Sequence, residues 1–203
     1  MHITISPFTF AHEKWREPGG RPQYGWRGAS PEFGEIRVVW PALPHVSGAI
    51  VTEAGGEGIP TATFETRGLL SDLVSMPTLN RATCRVGGRL VGLDRRRWAL
   101  TRRGRSLRLR HLGDDYRLTA VGKHAYRLTR LADDEDPGVA VTVRRSGIAG
   151  GRRLTVRATG RVLPADLALA VLFAGVDRSV LTRRGAVRAG FKRVFGFWAE
   201  ATY

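Results

Sequence analysis

The sequence predicts a mainly β protein: a closed antiparallel barrel of about twelve strands around a buried C-terminal apolar helix. Two observations predict it. Residues 165–176, ADLALAVLFAGV, form a helix-like run with no charge after Asp166. A helix apolar on every face has to be surrounded by core rather than laid on it. Ahead of it lie short arginine-studded runs, rich in valine, leucine, threonine and aromatics and separated by turn residues, the pattern of strands in a meander. The twelve-residue apolar run is also too short to cross a bilayer, which takes about twenty residues.

Taken in order, residues 2–10 (HITISPFTF) alternate weakly and contain Pro7, which suits an edge strand. Residues 11–34 hold Pro18, Gly19, Gly20, Pro22, Gly25, Gly28, Pro31 and Gly34. They complete an irregular N-terminal arm, 1–34, in which Tyr24 and Trp26 suit either surface docking or a mobile loop. From Glu35 the pattern turns to strands: EIRVVW (35–40), GAIVT (48–52) and TATFET (61–66). Residues 69–74 suit one turn of helix before Pro77.

Residues 81–162 are the clearest part. Turn chemistry stands at Gly87-Gly88, Arg103-Gly104, Gly113-Asp114-Asp115, Gly122-Lys123, Asp136-Pro137-Gly138, and Gly147 with Gly150-Gly151. Between the turns the period of two divides the faces. Leu107 and Leu109 oppose Arg108 and Arg110; Tyr116, Leu118 and Ala120 oppose Arg117 and Thr119. Val139, Val141 and Val143 oppose Ala140, Thr142 and Arg144, and Leu154, Val156 and Ala158 oppose Arg153, Thr155, Arg157 and Thr159. The apolar face receives the helix, the arginine face looks outward, and closure into a barrel removes the sheet edges. The barrel thus spans 35–182, its helix 164–176. A basic aromatic tail, 183–203, follows, with Val187, Phe191, Val194, Phe195 and Trp198 on one helical face and Arg184, Arg188 and Lys192 beside it. That stripe suits either a headgroup layer or a fold back over one mouth of the barrel.

Charge bounds the function. The chain carries 33 basic and 18 acidic residues, net +15, with only Lys14, Lys123 and Lys192 as lysines. Residues 81–161 hold 21 basic and 7 acidic residues, nearly the whole excess. A GC-rich genome explains arginine in place of lysine but not base over acid, whereas a phosphate-binding surface explains both. The competing reading is a solvated, solubilising face. Cys84 stands alone, so the chain offers no disulfide framework. The first residues carry no signal-peptide pattern, and the expected compartment is the cytoplasm, peripheral to a membrane if the charge meets lipid.

Catalytic motifs are missing: no P-loop, dinucleotide fingerprint, HExxH or nucleophile elbow, and so no cofactor is expected. His2, His12, His45, His111 and His124 have no ligand spacing, although His111 and His124 could meet across a hairpin, and no metal site is assigned. Asp133-Asp134-Glu135-Asp136 before Pro137-Gly138 reads as a solvated hairpin tip over a hard-cation loop. The candidate anion-binding residues are Arg95, Arg96, Arg97, Arg108, Arg110, Arg117, Arg153 and Arg157. The candidate membrane-tail residues are Arg184, Arg188, Phe191, Lys192, Phe195 and Trp198.

Trp98-Ala-Leu with the following Arg-Arg-Gly turn, the hairpins up to Gly160 and the run Pro164-Ala-Asp-Leu-Ala-Leu-Ala-Val-Leu-Phe together resemble the Tubby C-terminal-like superfamily. That superfamily includes the LURP-one-related and phospholipid scramblase proteins. The resemblance covers residues 35–180 and implies a helix threaded through a closed barrel, with phosphoinositide headgroups on basic barrel surfaces; it carries over no individual ligand residue. The tail after the helix departs from compact members. The expectation is a non-enzymatic module for an anionic partner, phospholipid headgroups first. Nucleic acid comes second, and a structural or protein-interaction role with incidental charge is the third reading.

Overall fold

The structure is a computed structural model, and it describes residues 5–16, 22–40, 49–67, 76–79, 82–95, 105–133, 136–147 and 153–182. Twelve strands form a closed antiparallel barrel. They are β1 (Phe8–Arg16), β2 (Pro22–Ser30), β3 (Gly34–Val39), β4 (Ala49–Gly56), β5 (Ile59–Arg67), β6 (Ala82–Val86), β7 (Arg89–Asp94), β8 (Leu107–His111), β9 (Asp114–Gly122), β10 (Ala125–Arg130), β11 (Val139–Ser146) and β12 (Arg153–Gly160). Each pairs with its neighbours in sequence, and β1 closes the ring onto β12 with Phe8 opposite Val156 and Phe10 opposite Leu154. No edge is left to template another chain.

Residues 8–16 and 22–30 correct the expected N-terminal arm. They form β1 and β2, and β1 is the closing strand rather than an edge. Two of the glycines that suggested a loop, Gly25 and Gly28, are there for close approach. A Cβ on Gly25 would stand 1.9 Å from the Val38 carbonyl oxygen, and one on Gly28 would stand 2.4 Å from that of Thr9. Pro22 is tolerated as the first residue of its strand. The helical turn expected at 69–74 and the tail 183–203 lie outside the described residues.

The apolar faces point inward as alternation requires: Leu107, Leu109, Tyr116, Leu118, Val139, Val141, Val143, Leu154, Val156 and Ala158 are all buried. They receive α1 (Pro164–Leu172), which runs on into a 3-10 turn, Phe173–Gly175. From Leu167 to Ala174 every residue is fully buried. The helix touches β4, β5 and β6 on one side and β10 and β11 on the other, so the wall surrounds it. Phe173 meets Phe64 of β5 edge to face, centroids 5.6 Å apart.

The β8–β9 turn lies one step earlier than the glycine and aspartates suggest. It consists of Leu112 and Gly113, with φ of 53° and 94°, and Asp114 already opens β9. Both residues lie in the left-handed region that a two-residue turn needs to match strand twist.

An all-round apolar helix inside a closed wall leaves no exit for a charge. Replacing Leu172 with Asp should therefore abolish cooperative folding, because an unpaired buried carboxylate costs several kcal/mol or more. A soluble Leu172→Asp variant with a cooperative melt would contradict the enclosed helix.

Candidate anion-binding site

The barrel has two mouths, one where α1 begins and one where it ends. Side chains meet main-chain groups of the helix ends at both. At the first, the Asp166 carboxylate accepts from the Leu163 backbone N–H at 2.8 Å, the Tyr116 hydroxyl at 2.9 Å and Arg130 Nε at 3.1 Å. Arg130 is 3% exposed, and it also donates to Asp136 and to the Arg161 carbonyl, each at 2.9 Å. Burial opposes the Arg130 charge, but the hydrogen bond to Asp136 and the charge and hydrogen bond of Asp166 outweigh it and raise its pKa. Burial pushes the Asp166 carboxyl up, against those donors. The Arg130 hydrogen bond, then that of the Gly138 N–H, holds the more exposed Asp136 below the usual carboxylate range.

The acidic turns gather at this mouth: Glu32 between β2 and β3, Glu57 between β4 and β5, and Asp133 and Asp136 between β10 and β11. Of the run at 133–136, Asp133 and Asp136 have structural roles. Asp133 accepts from the Asp136 N–H at 2.7 Å, and Asp136 faces Arg130. Among the described residues no cluster fit for a metal ion is found. His111 is buried at the end of β8 at this mouth, while His124 is exposed in the β9–β10 turn at the other, so the two do not meet.

The second mouth is basic. Here the last carbonyls of the helical segment are capped by Tyr126, Thr52 and Arg145 from the wall, and the carbonyl just after it by Arg178 from the segment that follows. Tyr126 donates its hydroxyl to the Ala170 carbonyl at 2.6 Å, and Thr52 donates to that of Gly175 at 2.8 Å. Arg145 donates through Nη2 to the Ala174 carbonyl, and Arg178 donates through Nη1 to that of Val176 at 3.1 Å. Arg178 also stacks over the Tyr126 ring at 4.1 Å, and Arg145 over Trp26 at 5.5 Å. Cations suit a helix C-terminus, where carbonyl dipoles converge. Burial lowers the Arg145 pKa and pushes Arg178 down to about 10, Arg145's charge adding to the effect. Burial likewise pushes the Tyr126 hydroxyl up to about 12. Beside them opens a cleft of about 180 Å³, lined by Lys123, Tyr126, Arg145, Asp177, Arg178, Ser179 and Thr182 among others. Among the described residues, none of Lys123, Arg144, Arg145, Arg153 and Arg178 forms a salt bridge.

Of the arginines singled out by sequence, Arg108, Arg110, Arg117, Arg153 and Arg157 stand on the outer wall. Arg108 and Arg117 are register partners on β8 and β9. Arg157 stands opposite Thr142 of β11, whose hydroxyl accepts from Arg127 at 3.2 Å. Arg153 opposes Ser146 at the basic mouth. Arg110 is set apart, since it pairs with Asp115 at 3.1 Å. Arg95 follows the end of β7. Arg96, Arg97 and the tail residues Arg184, Arg188, Phe191, Lys192, Phe195 and Trp198 lie outside the described residues.

Four cations escaped selection from sequence: Lys123, Arg130, Arg145 and Arg178. For two of them the signal was present. Arg130 continues the phase of Tyr126 and Leu128, and Arg145 continues that of Val141 and Val143, so both point into the barrel. No family model matches the chain, and no curated protein or solved structure matches it.

The pH dependence of the first mouth follows from Asp136. Its folded pKa lies below its unfolded value, so it adds stability above about pH 4 that is lost as pH falls through the depressed value. Asp166, shifted upward, works in the opposite sense. Asp136→Asn should lower the neutral Tm and shrink the further fall on acidification. A melting profile with the wild-type acid limb would show that Asp136 does not carry it.

Proposed function

We propose that this protein is a non-enzymatic module that docks on an anionic phospholipid surface. The observation that carries the reading is the unpaired cationic surface running from the outer wall of β8–β12 to the basic mouth. Arg108, Arg117, Arg144, Arg153 and Arg157 have no carboxylate partner among the described residues, while the acidic turns stand at the opposite mouth. Guanidinium groups interleaved with threonine hydroxyls are donors matched to phosphate oxygens.

The contact is peripheral in this reading. No helix among the described residues is long and apolar enough to cross a membrane. The wall of β8–β12 carries arginine where a membrane-spanning barrel carries an apolar band. For nucleic acid, exposed rings among the arginines would be wanted for base stacking. Tyr116 and Tyr126 are instead buried, which favours lipid. Tyr24, 44% exposed on β2 with Lys14 5.4 Å from its ring centroid, is the one exposed large aromatic among the described residues.

Vesicle sedimentation across a salt series tests this. Binding to phosphatidylcholine vesicles containing phosphatidylserine should be strong, should fade as salt rises, and should be lost on phosphatidylcholine alone. Each basic residue near an anionic surface contributes about 1 kcal/mol, so Arg144→Gln/Arg153→Gln/Arg157→Gln should weaken binding on the order of a hundredfold. Arg110→Gln, already paired with Asp115, should change little. Capture on nucleic acid but not on vesicles would install the nucleic-acid reading, and binding to neither would leave a protein partner.

The tail supplies a second test. Thr182, the last described residue, lines the basic cleft. If residues 183–203 add to membrane contact, deleting them should leave Tm unchanged and weaken vesicle binding. A lowered Tm with binding retained would assign the segment to the fold instead.

A further inference from the structure

We propose that the cleft at the basic mouth is a binding site for a phosphate monoester group, held by Arg145, Arg178 and Lys123. The inference rests on the anionic-partner reading above and names the group recognised.

Three features of the cleft lead to it. First, charge: Lys123, Arg145 and Arg178 line the cleft with one carboxylate, Asp177. That carboxylate is engaged by the Ser179 backbone N–H at 2.8 Å and its hydroxyl at 3.1 Å. The remaining excess of two positive charges matches a dianion rather than a carboxylate or a phosphodiester. Second, donors: each guanidinium spends only part of its fork on the main chain. Main-chain carbonyls take one nitrogen of each guanidinium, Nη2 of Arg145 and Nη1 of Arg178. The guanidinium fork has five N–H donors, so others remain for a tetrahedral oxyanion. Third, pre-organisation: Trp26 and Tyr126 hold the two guanidiniums by stacking, and the carbonyl bonds fix their planes. A ligand therefore meets side chains already ordered, which lowers the cost of binding.

The cleft volume of about 180 Å³ admits a phosphate group and the start of its ester, a space worth several waters. The outer-wall arginines are different in kind. They stand on an open surface, which suits diffuse attraction to a charged layer and not capture of one group. Free phosphate and a lipid headgroup share the recognised chemistry, and the test has an arm for each.

The first arm is thermal melting of the full chain at about pH 8, where a phosphate monoester is dianionic, with inorganic phosphate against chloride at matched ionic strength. Phosphate should raise Tm in a saturable way and chloride should not. Arg178→Gln should weaken the phosphate response by at least about tenfold. Lys123→Glu, in the exposed β9–β10 turn, should do the same with the unliganded Tm kept, which covers the case in which Arg178→Gln fails to fold. Phosphate acting no better than chloride would overturn the proposal, as would a wild-type response in Lys123→Glu. The second arm compares vesicles carrying phosphatidic acid, a monoester, with vesicles carrying phosphatidylserine, a diester, at equal surface charge. A preference for phosphatidic acid that Lys123→Glu removes identifies a headgroup as the source. Phosphate binding without any vesicle binding identifies free phosphate, and overturns the membrane reading while the site stands.

Discussion

A helix enclosed by an apolar barrel has most of its end N–H and carbonyl groups out of reach of water, so side chains must meet them. The rest of this structure follows from that constraint. At the start of α1, Asp166 takes up a free backbone N–H, and its own charge is then answered by Arg130 and Tyr116 from β10 and β9. At the other end the carbonyls of Ala170, Ala174, Gly175 and Val176 are capped by Tyr126, Arg145, Thr52 and Arg178. Removing one partner from such a network leaves a buried charge alone, a loss of about 3–5 kcal/mol. The polar lining of the two mouths is therefore part of the fold before it is part of any site.

The same constraint links fold to function. Carbonyl dipoles at a helix C-terminus attract cations, and carbonyls, unlike carboxylates, leave the charge of those cations uncancelled. Arg145 and Arg178 thus cap the helix and still present positive charge at the mouth, where burial and their mutual repulsion lower the Arg178 pKa. At the opposite mouth the inward arginine meets carboxylates, Asp166 and Asp136, and its charge is spent internally. The two ends of one short helix thus differ: the inward arginine at one is paired with carboxylates, and the two arginines at the other are not.

Much of the fold was legible because a period of two and a helix apolar all round are one-dimensional signals. Strand faces such as Leu107/Leu109 and Leu154/Val156/Ala158 followed directly. β2 and the rest of β1 beyond the strand expected at 2–10 were not, because Gly25 and Gly28 are close-approach positions whose meaning appears only once β1, β2 and β3 lie side by side. The β8–β9 turn was misplaced because Leu112 accepts a conformation usually left to glycine or asparagine. In the site, outward arginines were easy to find and inward ones easy to pass over: an arginine at a strand end is by default an exposed residue. Arg130 and Arg145 were in phase with their valine, leucine and tyrosine neighbours, and the phase outweighed the residue type. Arg178 had no such signal, since its role depends on where the helix stops.

The central claim is that α1 lies inside a closed wall and is anchored at both ends by it. Native-state hydrogen exchange of the Leu167–Ala174 amides tests this most directly. An enclosed helix can exchange only when the barrel itself opens, so these amides should share the protection of the β10 and β11 amides and report the global unfolding free energy. Exchange of the helix amides through a cheaper, local opening, with the strands still protected, would contradict the account.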